Sequence, residues 1–158
     1  MTIETVFSSL KDYLLKLNDE QKIEAINKIK LFLHQISPFK NEPIDCVLWI
    51  KQNKVVANDY NPNVMSPTEK RLLKTSLIKD GYTQPVVVLS AQQNKTKQVQ
   101  WQIVDGYHRY LLSKENALKK RINNYLPVTI LDVKNNTISE HIATTIRHNR
   151  ARGQHQVA

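Results

Sequence analysis

One helix with both of its ends marked in the sequence constrains this fold more than any other feature. Ser66 can cap the first turn, Pro67 suits the first helical position, and Glu69 lies where a capping box places its acid. Gly81 can adopt the left-handed conformation that ends the same helix. The apolar run Val86–Leu89 follows closely. The sequence therefore predicts a helix that leads directly into a strand buried on both faces.

A second junction, this time from strand to helix, follows in the chain. Residues 98–104 alternate between polar and apolar side chains, which is the period of a half-exposed strand, with Val99, Trp101 and Ile103 on one face. Asp105-Gly106 ends this strand, and a helix over 107–116 is predicted to begin at once. Other predicted elements are strands at 44–50, 54–57 and 126–133, a polar loop at 91–97, and a last helix that starts at Thr137 or Ser139 and turns Ile138, Ile142, Ala143 and Ile146 inward.

These patterns predict an α+β protein with a short mixed sheet and flanking helices. Pro127 lies near the start of the predicted strand 126–133. Because proline cannot donate to a strand ladder, that position is typical of an edge strand or of the first residue of a strand.

The N-terminal part has its own helical pattern. Apolar residues recur at helical spacing over 5–17 and again over 23–36, and a polar, proline-containing joint follows. We therefore predict a helical hairpin at 1–37 and a main domain at 44–158. Because two short amphipathic helices cannot bury their apolar faces alone, we expect the hairpin to pack on the main domain, on a second copy as a homodimer, or on a partner enzyme.

Composition limits the cellular compartment. The 158 residues include one cysteine, Cys46, so no internal disulfide can form, and His and Cys do not occur at zinc-ligand spacing. No apolar stretch approaches the roughly 20 residues that span a bilayer. These features predict a cytoplasmic, soluble protein that does not bind membranes.

The net charge favours a polyanionic partner. The formal charge is +9, and the basic excess lies downstream of the N-terminal helices, in which Lys is balanced by Asp and Glu. Lys119, Lys120 and Arg121 form a basic run that suits the phosphates of DNA. A solvated, solubilising surface explains the same run equally well.

The turn from Asp105 to Arg109 carries the sharpest local chemistry. A strand meets a helix through Gly106, which lets an anion approach the backbone, and the start of a helix presents free N–H groups. His108 and Arg109 lie in the first turn, where the helix dipole disfavours cations unless an anion compensates. The alternative is an ordinary turn with exposed basic residues.

The end of the last predicted helix concentrates guanidinium groups. Arg147 and Arg150 are followed closely by Arg152, with His148 and Asn149 between them. Planar guanidinium forks suit phosphate oxygens. Cations at a helix C-terminus also offset the dipole and the last carbonyls, so a structural role stays open.

Three segments resemble the ParB/sulfiredoxin superfamily. Residues 76–88, Ser-Leu-Ile-Lys-Asp-Gly-Tyr-Thr-Gln-Pro-Val-Val-Val, resemble its box of helix, glycine, Gln-Pro and strand. Asp105–Arg109 resembles the Gly-x-x-Arg phosphate motif, and His148–Arg152 the Glu-Asn-x-x-Arg motif. Their order and spacing together carry the resemblance over residues 44–154. The run from Arg147 onward looks most like the small ParB-like proteins of prophages and mobile elements, such as the IbrB group.

The resemblance implies a nucleotide pocket in a DNA-associated regulator of transcription or partition. The residues that would border the base and ribose are Gly81, Gln84 and Pro85. Those that would take the phosphates are Gly106, His108 and Arg109, with Arg147, Arg150 and Arg152 added from the last helix. Asn149 would help to hold magnesium, and the ligand would be a nucleoside triphosphate, CTP or ATP. Contacts to DNA would come from Lys119, Lys120, Arg121, Arg150 and Arg152.

Two departures from the family pattern bear on catalysis. His148 stands where the partition proteins have Glu, and an imidazole does not replace the charge of that acid, so nucleotide turnover is doubtful. Tyr107 stands where the sulfiredoxins have their reactive Cys, which argues against reductase chemistry.

An enzyme on the same fold is the alternative function. A nuclease, an NTPase or a small-molecule kinase would each need carboxylates to hold magnesium or to act as a base. The candidates are Asp59, Glu69, Asp80 and Asp105. Each of the four also has a structural explanation as a turn or cap residue.

Overall fold

The chain is organised as two units. The computed structural model describes residues 1–57, 65–132, 143–148 and 150. By its internal contacts the chain divides into Met1–Leu48 and Trp49–Ala158. This division lies shortly after the polar joint seen in the sequence.

The first unit contains two helices, α1 (Ile3–Leu15) and α2 (Asp19–Ile36), which confirms the two predicted helical segments. Asn18 begins α2 with a complete capping box, because its side chain accepts from the N–H of Gln21 and the side chain of Gln21 accepts from the N–H of Asn18. Neither helix contains a buried residue.

A short 3-10 turn at Pro43–Asp45 is tied to α2 by two side chains. Nδ1 of His34 lies 2.7 Å from Oδ2 of Asp45, and Nζ of Lys30 donates to the carbonyl oxygen of Val47 at 3.0 Å. The hydrogen bond from His34 lowers the pKa of Asp45. Sequence periodicity had predicted a strand over 44–50, but its first half is this turn, because Pro43 starts it and its carbonyl accepts from the N–H of Cys46.

The second unit is built on one mixed sheet, which confirms the α+β class. Its strands are β1 (Leu48–Lys51), β2 (Val55–Val56), β3 (Val86–Leu89), β4 (Gln92–Gln93), β5 (Val99–Asp105) and β6 (Tyr125–Leu131). The strand order is β1-β6-β3-β5-β2, with β4 paired to β5. Its helices are α3 (Pro67–Asp80), α4 (Tyr107–Ser113) and α5 (Asn116–Arg121), and 143–148 and 150 are also helical.

The register of the sheet brings two loops to one edge. β3 runs antiparallel to β5, with Val87 opposite Asp105, and parallel to β6, with Val86 opposite Val128. The start of β3, the end of β5 and the start of β6 therefore share an edge. The connection that enters β3 and the turn that leaves β5 must lie side by side there.

The core combines the central strands with the three helices. Buried side chains of the sheet include Val86, Val88, Ile103, Val104 and Val128. On one side Leu77, Leu112 and Leu118, one from each helix, form a buried cluster, with Leu73 and Tyr82 packed against it. This cluster fixes α3, α4 and α5 relative to one another. Within the described ranges no helix is both long enough and apolar enough to cross a bilayer.

Local hydrogen bonds overturn two of the sequence predictions. The stretch 91–97, predicted as a loop, contains β4 and a tight turn, because Oδ1 of Asn94 accepts from the N–H groups of Thr96 and Gln98. The helix predicted over 107–116 ends earlier, at Ser113, and a second helix, α5, which was not predicted, begins at Asn116.

Two predictions about strand and helix placement are also wrong. Pro127 is the third residue of β6, which lies between β1 and β3, so it occupies neither of the two predicted positions, an edge strand or the first residue of a strand. The pairing of β6 with β3 starts one residue later, at Val128. In the last helix Thr144 and Thr145 are buried while Ala143 and Ile146 are exposed, so the helix faces the core with a different side from the predicted one. The predicted caps Thr137 and Ser139, with Ile138 and Ile142, lie outside the described residues.

Candidate functional site

The candidate site lies at the sheet edge where β3 begins and β5 ends. Residues 81–85 connect α3 to β3, and Gly106 connects β5 to α4. Because Val87 pairs with Asp105, the two connections are neighbours. The structure thus brings together two of the three segments that the sequence singled out.

One side-chain hydrogen bond joins the two segments directly. Nη2 of Arg109 donates to Oε1 of Gln84. The hydroxyl of Tyr82 donates to the carbonyl oxygen of Arg109 at 3.4 Å, which adds a weaker second link. Gln84 is exposed and Arg109 is half-buried, so this pair can be reached from solvent.

Tyr82 is a residue of the site to which the sequence had assigned no role. Its ring packs on the buried leucine cluster, and its hydroxyl reaches the backbone of α4. Burial raises the pKa of Tyr82 to about 12, against the opposing effects of Ser113 and Arg109. The hydroxyl is therefore protonated at neutral pH and acts as a donor. A signal was present in the sequence, since an aromatic residue directly after a helix-ending glycine often packs back on the helix.

Gly106 has a structural reason to be glycine. Its φ is +95°, in the left-handed region. A Cβ at this position would lie 3.2 Å from both Cα and Cγ2 of Val86. Gly106 is itself buried, and α4 has only seven residues. Tight packing of the turn on β3 therefore accounts for this glycine without any ligand.

Gly81 and Arg121 form a second packed contact, at the end of α3. Gly81 has φ +81°, and its N–H closes the helix on the carbonyl oxygen of Leu77. Nη1 of Arg121 donates to the carbonyl oxygens of Ile78 at 2.5 Å and Leu77 at 3.4 Å. Arg121 thus satisfies the last carbonyls of α3 and suits the negative end of the helix dipole.

The basic run of α5 therefore divides into two roles. The guanidinium of Arg121 is engaged by α3, whereas Lys119 and Lys120 are exposed in the last turn of α5. Contact of these two lysines with nucleic acid stays a prediction.

The structure describes only some of the other residues that were predicted to bind nucleotide or magnesium. His108 is half-buried, with its ring 5.7 Å from that of Tyr107 in an edge arrangement. Arg147 and Arg150 are exposed on the last helix. Asn149, the predicted magnesium ligand, and Arg152 lie outside the described residues.

The carboxylates proposed for an enzyme occupy separate positions. Glu69 lies in the first turn of α3, where its N–H donates to Oγ of Ser66, and Asp80 ends the same helix. Asp105 ends β5, next to the candidate site. Asp59 lies outside the described residues. In the part of the chain that the structure describes, no three His, Cys, Asp or Glu side chains gather into a group that could hold a metal ion.

Comparison with known proteins places this chain in a family. A protein of Escherichia coli (strain K12), named "Uncharacterized protein YbdM", is 48% identical over 149 residues, which cover 94% of this chain and 68% of that protein. The chain belongs to the YbdM family. No model of a protein family matches the sequence.

Two solved structures are similar in backbone course to this member of the YbdM family. One is a C-terminally truncated chromosome-partitioning protein ParB from Caulobacter crescentus complexed with CTP-gamma-S, with 16% identity, a TM-score of 0.48, and coverage of 65% of this chain and 52% of that chain. The other is sulfiredoxin from Arabidopsis thaliana, with 13% identity, a TM-score of 0.43, and coverage of 61% and 96%.

Charge in this YbdM-family chain is divided sharply between the two units. Residues 49–158 contain 17 Lys and Arg against seven Asp and Glu, whereas residues 1–48 contain six against seven. The basic character therefore belongs to the unit that carries the candidate site.

Proposed function

We propose that this protein is a nucleotide-responsive regulator that associates with DNA and binds a nucleoside triphosphate, CTP or ATP, with magnesium. The hydrogen bond between Arg109 and Gln84 carries the proposal, since it joins the two segments that resemble the nucleoside and phosphate motifs of ParB-like proteins. The guanidinium of Arg109 can donate to phosphate oxygens, and the neighbouring carboxamide of Gln84 can hydrogen bond with a base or a ribose.

The same bond suggests how a ligand would be sensed. In the structure Arg109 donates to the neutral amide oxygen of Gln84. A phosphate oxygen is a stronger acceptor, because its negative charge strengthens the hydrogen bond. Phosphate would take the guanidinium, and the carboxamide of Gln84 would then be released to hydrogen bond with the nucleoside.

Association with DNA is supported by charge. The second unit has an excess of ten basic residues, and Lys119 and Lys120 are exposed on it. Phosphate contacts of this kind position a protein on DNA without specifying the base sequence.

Nucleotide binding is tested by calorimetric titration and thermal unfolding with CTP, ATP, GTP and ADP, each with magnesium. The wild type should bind one triphosphate selectively and unfold at a temperature several degrees higher, because a ligand that binds only the folded state stabilises it. Arg109→Ala should weaken that affinity about tenfold or more, since hydrogen bonds to charged groups are worth roughly 1.5–3 kcal/mol.

Arg71→Ala is the matched control. Arg71 is an exposed arginine of α3 outside both segments, so its replacement removes the same charge without touching the site. Equal losses of nucleotide affinity in both variants would mean that Arg109 acts only through its charge and not through a direct contact. No response of the wild type to any of the four nucleotides would overturn the proposal.

A further inference from the structure

Helix α1 leaves an apolar stripe uncovered. Ile3, Phe7, Leu10 and Leu14 follow one another at spacings of four, three and four residues, which is the seam of a coiled coil. Ile3 and Phe7 are 61% and 57% exposed, and Leu10 and Leu14 are only half-buried. A 13-residue helix is marginal in water when its apolar face is not covered.

Helix α2 also carries exposed apolar side chains near its C-terminal end. Phe32 and Ile36 are 60% and 67% exposed, and Leu33 lies between them. Since α1 and α2 are joined by three residues, they form a helical hairpin whose open end carries these side chains.

The area of this surface matches that of a stable interface. Seven exposed apolar side chains belong to the two helices: Ile3, Val6, Phe7, Tyr13, Phe32, Leu33 and Ile36. At about half exposure, and with roughly 200 Å² for a large apolar side chain, they offer on the order of 700 Å². A standard interface buries about 800 Å² on each partner.

The charges beside the stripe are complementary to a second copy of the same helix. Glu4 and Lys11 lie one heptad apart on one flank of the seam, and both are exposed. If two α1 helices pair antiparallel, Glu4 of each meets Lys11 of the other, and two-fold symmetry makes this contact twice. The near-balanced charge of residues 1–48 lets two copies approach without the repulsion that the basic second unit would impose.

We infer that the chain forms a two-fold symmetric homodimer through its N-terminal hairpin, with the α1 seams packed antiparallel into a four-helix arrangement. The occupant of the apolar face is thus a second copy of this chain. The inference is independent of nucleotide binding, which concerns the second unit.

Sedimentation equilibrium of the full chain, purified at high salt after nuclease treatment, tests this inference. The wild type should show a concentration-dependent mass that reaches twice that of one chain. Phe7→Glu should weaken the dimer at least about a hundredfold, since it places a charge in the seam. Leu15→Glu is the matched control, because Leu15 is just as exposed but lies roughly 120° around α1 from the seam.

A charge-exchange series distinguishes a second copy from any other occupant. Glu4→Lys and Lys11→Glu should each weaken the dimer by roughly three- to tenfold, and the double exchange should restore it. Asp12→Lys, on the opposite side of α1, should leave the dimer unchanged. A wild type that remains monomeric at every concentration, or a dimer that Phe7→Glu does not weaken, would overturn the inference. Circular dichroism establishes that each variant is folded.

Discussion

Gly106 packs so closely against Val86 that a Cβ at position 106 would lie 3.2 Å from the Cα of Val86. The Cα of Val86 is a backbone atom of a fully buried residue, so it cannot move aside at low cost. We predict that Gly106→Ala lowers the free energy of unfolding by about 2 kcal/mol or more, from the positive φ and the clash together. Urea denaturation measures this directly.

Gly81→Ala is the control for that prediction. Its φ is also positive, but a Cβ there would meet only the guanidinium of Arg121, with Nη2 at 3.2 Å, at the end of a flexible side chain. The loss should be smaller than that of Gly106→Ala. An equal or larger loss of stability in Gly81→Ala would show that the contact with Val86 is not the reason why Gly106→Ala is destabilising.

Arg121 should stabilise the fold, although the sequence grouped it with residues that contact DNA. Its guanidinium donates to the last carbonyls of α3. Arg121→Ala should lower the free energy of unfolding by about 1–2 kcal/mol. Lys120→Ala, which removes a neighbouring exposed charge, should change it by less than about 0.5 kcal/mol. Equal effects in the two variants would contradict the capping role.

Lys119 and Lys120 should determine the salt dependence of DNA binding. If each contacts a phosphate, Lys119→Ala and Lys120→Ala should each reduce the slope of log affinity against log salt by about one. Lys16→Ala and Lys28→Ala, at exposed positions of the charge-balanced first unit, should leave the slope unchanged. Fluorescence anisotropy with a labelled duplex at several salt concentrations provides the measurement, and equal slopes in all variants would argue against contacts from α5.

The link between α3 and α5 should make stability depend on pH. Nζ of Lys74 lies 2.7 Å from Oε2 of Glu115, and that of Lys70 lies 3.4 Å from Oε1. The hydrogen bond from Lys74 is the main cause that lowers the pKa of Glu115 below its ordinary 4.5. A carboxylate with a lowered folded pKa stabilises the protein above 4.5, and this contribution is lost as the pH falls from there through the folded value.

Glu115→Gln should therefore be less stable than the wild type at neutral pH, and the difference should shrink in acid. Urea denaturation across that range gives the comparison. A difference that stays constant with pH would mean that Glu115 acts through packing alone.

The parts of the fold that the sequence predicted were those with local signals. Ser66, Pro67 and Gly81 mark the ends of α3, and its structure confirms them. Gly81 and Gly106 likewise predicted the connections from α3 to β3 and from β5 to α4. These signals place the candidate site at the edge of the sheet, because strand ends are local properties of the chain.

The remaining features depend on contacts between distant residues. Nothing local indicates that Arg121 reaches the end of α3, 43 residues earlier, or that Arg109 is held by Gln84. The pattern of apolar residues did not predict the buried face of the last helix, because the buried residues there are Thr144 and Thr145. Threonine can present its methyl group to a core. The strand β4 was missed because two glutamines carry no strand signal, and Asn94 supplies its turn.

We propose that residues 81–85 and 106–109 form one nucleotide site. The most direct measurement is a titration of ¹⁵N-labelled protein with CTP and with ATP, each with magnesium, in which the amide signals of both segments are followed. One nucleotide should shift the signals of Tyr82, Gln84, Gly106 and Arg109 together, with a single dissociation constant, and Arg109→Ala should raise that constant about tenfold or more. Shifts confined to one segment, or to residues elsewhere in the chain, would contradict the claim.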